Sequence, residues 1–406
     1  MTATRGSHRP PPPVRTVGGH DRDLDLDAYR PLVGHGLDPD RKPYVGFGAA
    51  LPALAGYLLV RTFGAYVLWL WGSSQGKPLT DLFGRAWDAN WLTGIAQNGY
   101  DLGEPLRSNL AFFPLFPGLI KAVDALSPLD AAGAGILLAW VSGAAAAWGL
   151  FALGTRLHDP RTGIMLAVLW GVIPHAVTES MAYTESLFTA LAVWALYEVL
   201  QRRWITAGLL TLVAGLSRPT ASALIGAVCL AALVAVVRRR DGWRPWLALL
   251  LAPLGWLAYL LWVGLRTGRL DGWFHIQGEG WGSRFDGGGY TLEQARQVLS
   301  RASELEMIMI TLILVVSVGL FVLSLLDRQP WPLLVYSALM LATTLGGDGY
   351  YHSKARYLVP AFALLIPAAA ALGRARTSRA VVVLTTLCLV SAYMGGYLLL
   401  VWRHSP

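Results

Sequence analysis

Apolar residues run along this chain in blocks of roughly twenty, the length a helix needs to cross about 30 Å of hydrocarbon. Charged residues are concentrated in the gaps between the blocks. The blocks fall near 49–72, 131–154, 162–178, 184–200, 204–217, 219–237, 245–265, 305–326, 331–346, 357–373 and 379–401. This pattern predicts an all-α, polytopic transmembrane helix bundle of about eleven spans, within a range of about 10 to 13. A further run, 109–126, is interrupted by Pro114 and Pro117 and carries Lys121 and Asp124, so it is read as lying along a surface. Residues 1–43 hold a proline run and alternating Arg and Asp with few apolar residues, and read as a disordered tail without a signal-peptide pattern. The remainder, 44–402, reads as one membrane domain.

Charge orients this bundle. Lys and Arg concentrate in short cytoplasmic loops. One side collects Arg41, Lys42, Arg156, Arg161, Arg202, Arg203, Arg238 to Arg240, Arg328, Arg374, Arg376 and Arg379. That side is assigned to the cytoplasm, together with the N-terminus, and the long loops 73–130 and 267–304 fall outside. Composition agrees with a membrane protein: 54% hydrophobic residues, only 14% charged, and a mean hydropathy of +0.47 lie far from a soluble average. The net charge of +8 comes with no basic helix or aromatic-basic sheet motif, so nucleic acid is not an expected partner. Cys229 and Cys388 each sit inside an apolar run and suit neither a disulfide framework nor a thiolate metal site.

The chemically suggestive residues all fall on the outer side. In the first outer loop Trp87, Trp91 and Ile95 follow at helical spacing, so a short surface helix would carry an aromatic stripe with Asp88 at its flank, ended by Gly99. A carboxylate just outside the bilayer, beside apolar walls, is placed to have a raised pKa and act as a base; capping a surface helix is the competing role. Glu179 and Glu185 flank Tyr183 at the mouth between two spans, where ionisable groups tend to be functional. Glu185, after Thr184 at the head of an apolar run, reads as a helix-capping residue, and Glu179 is left as a candidate for binding.

Arg218, in Ser-Arg-Pro-Thr, and Arg356 beside Lys354 and Tyr357 offer guanidinium forks suited to phosphate oxygens, or to lipid headgroups by snorkelling. Trp273, Gln277 and Trp281 recur at four-residue spacing before a glycine run, an arrangement fit to hold sugars or headgroups and equally explained by an interfacial aromatic belt. GSSQGKPLT at 72–80 lacks the spacing and the Ser or Thr of a phosphate loop. His175, His275 and His352 look isolated, so neither a metal nor a redox cofactor is expected.

In chain order, WDANWLTGIAQNGY, AFFPLFPGLI, YTESLF, SRPT and ARYLVPAF resemble the PIG-V-like mannosyltransferases over about residues 45–400. The resemblance implies the GT-C architecture, a membrane bundle whose first outer loop carries surface helices, and sugar donors linked to polyprenyl phosphate. It makes Asp88, the acid shortly after the first span, the expected catalytic base. It also matches Tyr183 to Phe188 and the pair Arg356–Tyr357 to family motifs. The SRPT segment departs from the eukaryotic pattern, and the Ala-, Arg- and Gly-rich composition suggests a bacterial homologue acting on another lipid or on a protein.

The expectation is therefore a plasma-membrane glycosyltransferase moving mannose, or a related hexose, from a polyprenyl-phosphate donor to a lipid or protein hydroxyl at the outer face. Asp88 would be the base. Trp87, Trp91, Glu179, Tyr183, Arg218, Gln277, Trp281, Lys354, Arg356 and Tyr357 would bind substrate. Two other classes compete. A transporter would need polar groups at mid-bilayer, where Arg61 is the only strong ion, and a non-catalytic partner subunit would not need the acid.

Overall fold

The computed structural model describes residues 46–101 and 107–406, so the tail 1–43, with Arg41 and Lys42, lies outside the described residues. The rest is helical. The order is α1 (Phe47–Ser73), α2 (Leu79–Gly84), α3 (Asp88–Asn98), α4 (Leu115–Leu126), α5 (Ala131–Leu157), α6 (Pro160–Trp170), α7 (Glu185–Leu200), α8 (Trp204–Gly215) and α9 (Ala221–Val237). Then come α10 (Arg244–Thr267), α11 (Gly272–His275), α12 (Gly289–Ser300), α13 (Leu305–Leu326), α14 (Trp331–Gly346), α15 (Lys354–Tyr357), α16 (Ile366–Arg374) and α17 (Thr377–Leu400). Among the described residues the only β pairing is a single antiparallel bridge, Phe285 to Gly347.

A helix lies inside each of the eleven predicted spans, but length divides them. Helices α1, α5, α10, α13 and α17 are both long and apolar enough to cross a membrane, which makes this a multi-pass membrane protein. Helices α8, α9 and α14 are apolar but shorter. At 1.5 Å per residue, the 12 residues of α8 span only about 18 Å. The stretch read as one span over 357–373 is instead broken. Residues Tyr351–Tyr357 and Phe362–Arg374 meet at 71°, with Pro360 in the corner, where a missing N–H and a restricted preceding residue disfavour continuous helix. Buried side chains clamp that corner: Trp170 Nε1 donates to the Val359 carbonyl at 3.0 Å and the Tyr336 hydroxyl to the Pro360 carbonyl at 2.8 Å. In 162–178 likewise, α6 ends at Trp170 and a turn follows.

Small residues bring the long helices close. The run GAGILLAWVSGAAAAWG in α5 buries Ala134, Gly135, Ala139, Gly143, Ala146, Ala147 and Gly149. A methyl on Gly149 would overlap the Val193 side chain of α7. Helix α10 crosses α8 at Gly255, where a methyl would overlap the Leu212 carbonyl oxygen. Burying backbone against backbone is how membrane helices gain packing when lipid offers no hydrophobic drive.

The arginine-rich ends meet on one side. Arg156 donates to the Leu200 carbonyl at the end of α7, Arg202 pairs with Asp241 at 2.9 Å, and Arg161 donates to the Ala375 carbonyl after α16. The loop 73–130 lies at the other end. There α4 buries Phe116, Pro117 and Ile120 and leaves Leu126 exposed. Pro114 caps α4 and Pro117 sits in its first turn, so these prolines begin a helix where proline is tolerated instead of interrupting one.

Candidate active site

Helix α3 starts in an unusual way. Trp87 precedes it with φ 54° and ψ −120°, a conformation that costs a bulky residue about 1–3 kcal/mol and persists only where its surroundings enforce it. The enforcing contacts come from the segment before α7. The Ala182 N–H donates to the Phe83 carbonyl at 2.7 Å, and the Asp88 N–H to the Tyr183 hydroxyl at 3.3 Å. The turn delivers the Asp88 carboxylate to a cavity of about 560 Å³. Tyr350, on the opposite wall, also has positive φ, at 45°.

The cavity gathers charges that are far apart in the chain. Arg356 Nη1 contacts Asp88 Oδ2 at 2.5 Å, its Nε lies 3.8 Å from Glu185 Oε1, and Arg218 Nη1 lies 3.4 Å from that same oxygen. Asp88, Arg356, Glu185 and Arg218 thus form one continuous row. Arg218, Glu185 and Arg356 are almost wholly buried, whereas the Asp88 side chain is 30% exposed, so the carboxylate at the end of the row is the one that solvent or substrate can reach. Arg356 is also sandwiched between the rings of Tyr183 and Tyr357, at 5.0 and 5.3 Å, and Arg218 lies over Phe188. Among the described residues, Arg356 Nε and Arg218 Nε and Nη1 find no hydrogen-bond acceptor. Buried guanidinium donors without acceptors are costly, and both arginines line a cavity able to admit an anion.

Lys354 lines the same cavity but is committed to the backbone, donating from Nζ to the Thr344 and Gly347 carbonyls at 2.8 and 2.6 Å. It anchors the end of α14. There the Arg284 N–H donates to the Asp348 carboxylate and the Asp348 N–H returns to the Arg284 carbonyl at 2.7 Å, closing a clasp between the loop 267–304 and the segment after α14. Asp286 begins α12 beside it; backbone N–H groups of Tyr290 and Gly288 hold its carboxyl below the usual range.

Gln277 and Trp281 line the cavity, as does Trp273, but each gives a hydrogen bond to the loop 73–130. Trp273 Nε1 and Gln277 Nε2 donate to the Ala111 carbonyl at 3.4 and 3.3 Å, and Trp281 Nε1 to that of Ser108 at 3.1 Å. These side chains latch the loop 267–304 onto the loop 73–130. A π-helical turn over Ile276–Gly280 makes the latch possible by changing the helical pitch between Trp273 and Trp281.

Asp88, Tyr183, Arg218, Gln277, Trp281, Lys354, Arg356 and Tyr357 therefore share one cavity, while Trp87, Trp91 and Glu179 lie outside its lining. Trp87 is 40% exposed. Trp91 stands behind the cavity wall, stacked on Phe112 at 5.8 Å and edge-on to Trp281 at 5.2 Å. The expected aromatic stripe is not one face: α3 buries Ala89, Leu92, Thr93, Ile95 and Ala96. Glu179 is buried 3.9 Å from Arg61, partnering that mid-span ion. His175 is not isolated, since its Nε2 lies 3.4 Å from buried Glu306.

The central residue that sequence reasoning misassigned is Glu185. It does stand in the first turn of α7, but Thr184 makes no side-chain capping bond, and the Glu185 carboxylate turns inward to the two arginines. Two arginines, Arg218 and Arg356, with no obvious carboxylate partner in the sequence were the available signal.

No family model and no curated protein sequence matches the chain. Among solved structures, the chain is similar to the apo oligosaccharyltransferase of Archaeoglobus fulgidus, with a TM-score of 0.49 and 12% identity over 84% of this chain. The match covers 56% of that protein, so this chain spans little more than half its length.

Proposed function

We propose that the protein is a membrane glycosyltransferase of GT-C type that transfers a hexose, mannose on the resemblance of its motifs, from a polyprenyl-phosphate donor to a hydroxyl on a lipid or protein at the outer membrane face. The observation that carries this reading is the row Asp88–Arg356–Glu185–Arg218 along one cavity. It supplies a reachable carboxylate next to buried guanidinium donors without acceptors, as a base and a phosphate site require. Phe274 and Phe285 line the cavity and are 55% and 72% exposed, a surface suited to a lipid chain entering from the side.

In this mechanism the donor phosphate lies against Arg356 and Arg218. The acceptor O–H gives its proton to Asp88, the acceptor oxygen attacks the anomeric carbon, and the bond from that carbon to the phosphate oxygen breaks with inversion. The departing polyprenyl phosphate keeps the electron pair, and the arginines stabilise the developing charge. Arg356 pairs with Asp88, so a donor phosphate competes for the guanidinium and frees the carboxylate to accept a proton. Base and donor site are thus coupled through one side chain.

The test is Asp88→Asn, assayed in membranes supplied with radiolabelled polyprenyl-phosphate mannose. Transfer should fall by about 10²- to 10⁴-fold, the usual worth of a general base, with membrane abundance unchanged. A variant keeping more than about a tenth of wild-type transfer would remove Asp88 as the base. A non-catalytic partner subunit would leave complex-dependent glycosylation intact.

A further inference from the structure

A second cavity, of about 400 Å³, opens on the far side of α3. Asp88 and Leu92 face the first cavity, while Asn90, Trp91, Gly94, Gln97 and Asn98 line the second. At 100° per residue these two groups lie on different faces of the helix. The ends of the second cavity are tied down. Arg85 pairs with Asp130 at 2.7 Å, Asn109 Oδ1 accepts from the Asp101 N–H at 3.0 Å, and Asn109 Nδ2 donates to the Gly99 carbonyl at 3.3 Å. Its middle is open: the side chains of Asn90, Gln97 and Asn98 are exposed and make no hydrogen bond among the described residues. Gly94 forms the floor, and the position its Cβ would take has nothing within 4 Å.

We propose that this groove binds the neutral hexose units of a glycan. Each free amide offers both donors and acceptors, as a hydroxyl-covered ligand needs. Among the described residues the charged lining side chains are Arg85 and Asp130, which pair with each other, so neither is left to draw an ion. Trp91 supplies a flat apolar wall of the kind that meets the C–H face of a sugar ring, and the volume is within the range of about 300–1,000 Å³ usual for ligand sites. Trp91 also contacts Phe112 and Trp281, both of which line the first cavity. A glycan seated in the groove would therefore lie one aromatic layer from Asp88. On the glycosyltransferase reading it is the non-reacting part of the acceptor; sugar binding itself does not depend on that reading.

The experiment is saturation-transfer NMR on the full chain in lipid nanodiscs, with mannotriose as the probe and inorganic phosphate as a charged control. Wild type and Asp88→Asn should both bind mannotriose at millimolar concentration. Gly94→Phe, which fills the floor, and the double variant Gln97→Ala, Asn98→Ala should each weaken binding at least tenfold while melting with the wild type. Binding by Asp88→Asn without transfer separates this site from the catalytic one. Failure of wild type to bind mannotriose, or equal binding by Gly94→Phe, overturns the proposal even if transfer depends on Asp88; a melting point lowered in Gly94→Phe leaves the double variant to decide.

Discussion

Replacing Glu185 with Gln should destabilise the empty protein and at the same time strengthen its response to a phosphate ligand. The carboxylate lies 3.4 Å from Arg218 and 3.8 Å from Arg356, with every partner nearly buried. At an effective dielectric of about 20, each such contact is worth about 4 kcal/mol, or about 8 kcal/mol for the two. Removing the charge returns several kcal/mol of desolvation, and deleting one member of a buried ionic group costs about 3–5 kcal/mol net. For a chain of this size about 2 °C per kcal/mol is expected, so the melting temperature in nanodiscs should fall by about 6–10 °C. The two arginines then face each other without their shared counterion. Farnesyl phosphate, an anion with the chemistry of the leaving group, should replace it and raise the melting temperature of Glu185→Gln by more than that of wild type. A variant melting within about 1 °C of wild type would show that Glu185 does not hold the arginines. A farnesyl phosphate shift no larger than in wild type would show that the phosphate is bound elsewhere.

Three further outcomes are expected. A cysteine replacing Gly288 should react with an impermeant thiol reagent in intact cells and one replacing Asp241 should not; the reverse pattern would place the cavity on the cytoplasmic side. Transfer should persist in excess chelator, because the guanidinium donors serve the phosphate directly, and activity that vanishes and returns on adding Mg²⁺ or Mn²⁺ would instead mean a metal-bridged phosphate. Gly255→Ala should lower thermal stability by about 1–3 kcal/mol, the usual cost of overpacking, since its methyl would overlap the Leu212 carbonyl oxygen; an unchanged melting temperature would contradict the close crossing of α8 and α10.

Local patterns in the chain were sufficient for a helical membrane protein with polar chemistry at one end. Apolar runs of spanning length, arginines in short connections and Gly99 after α3 depend on neighbours within a few residues, and a single sequence displays them directly. The corner at Pro360 belongs to the same class; proline marked it, although hydropathy alone smoothed 357–373 into one span. Partnerships are different. Asp88 and Arg356 are 268 residues apart, and nothing local tells an arginine that binds headgroups from one that pairs with a distant carboxylate. Glu185 shows the limit most clearly: in the first turn of α7 a carboxylate fits the helix dipole whether it points to solvent or to the core, and only the approach of Arg218 and Arg356 from distant parts of the chain turned it inward. Gln277 and Trp281 had the composition of a sugar site, yet their donors went to the backbone of residues 108 and 111, because buried carbonyls must be satisfied. Hydrophobic periodicity determined which segments form apolar helices; the packing of α3, α7 and α15 around one cavity decided which charges meet, since ionic and hydrogen-bond energies depend on distances of a few ångströms that sequence separation does not encode.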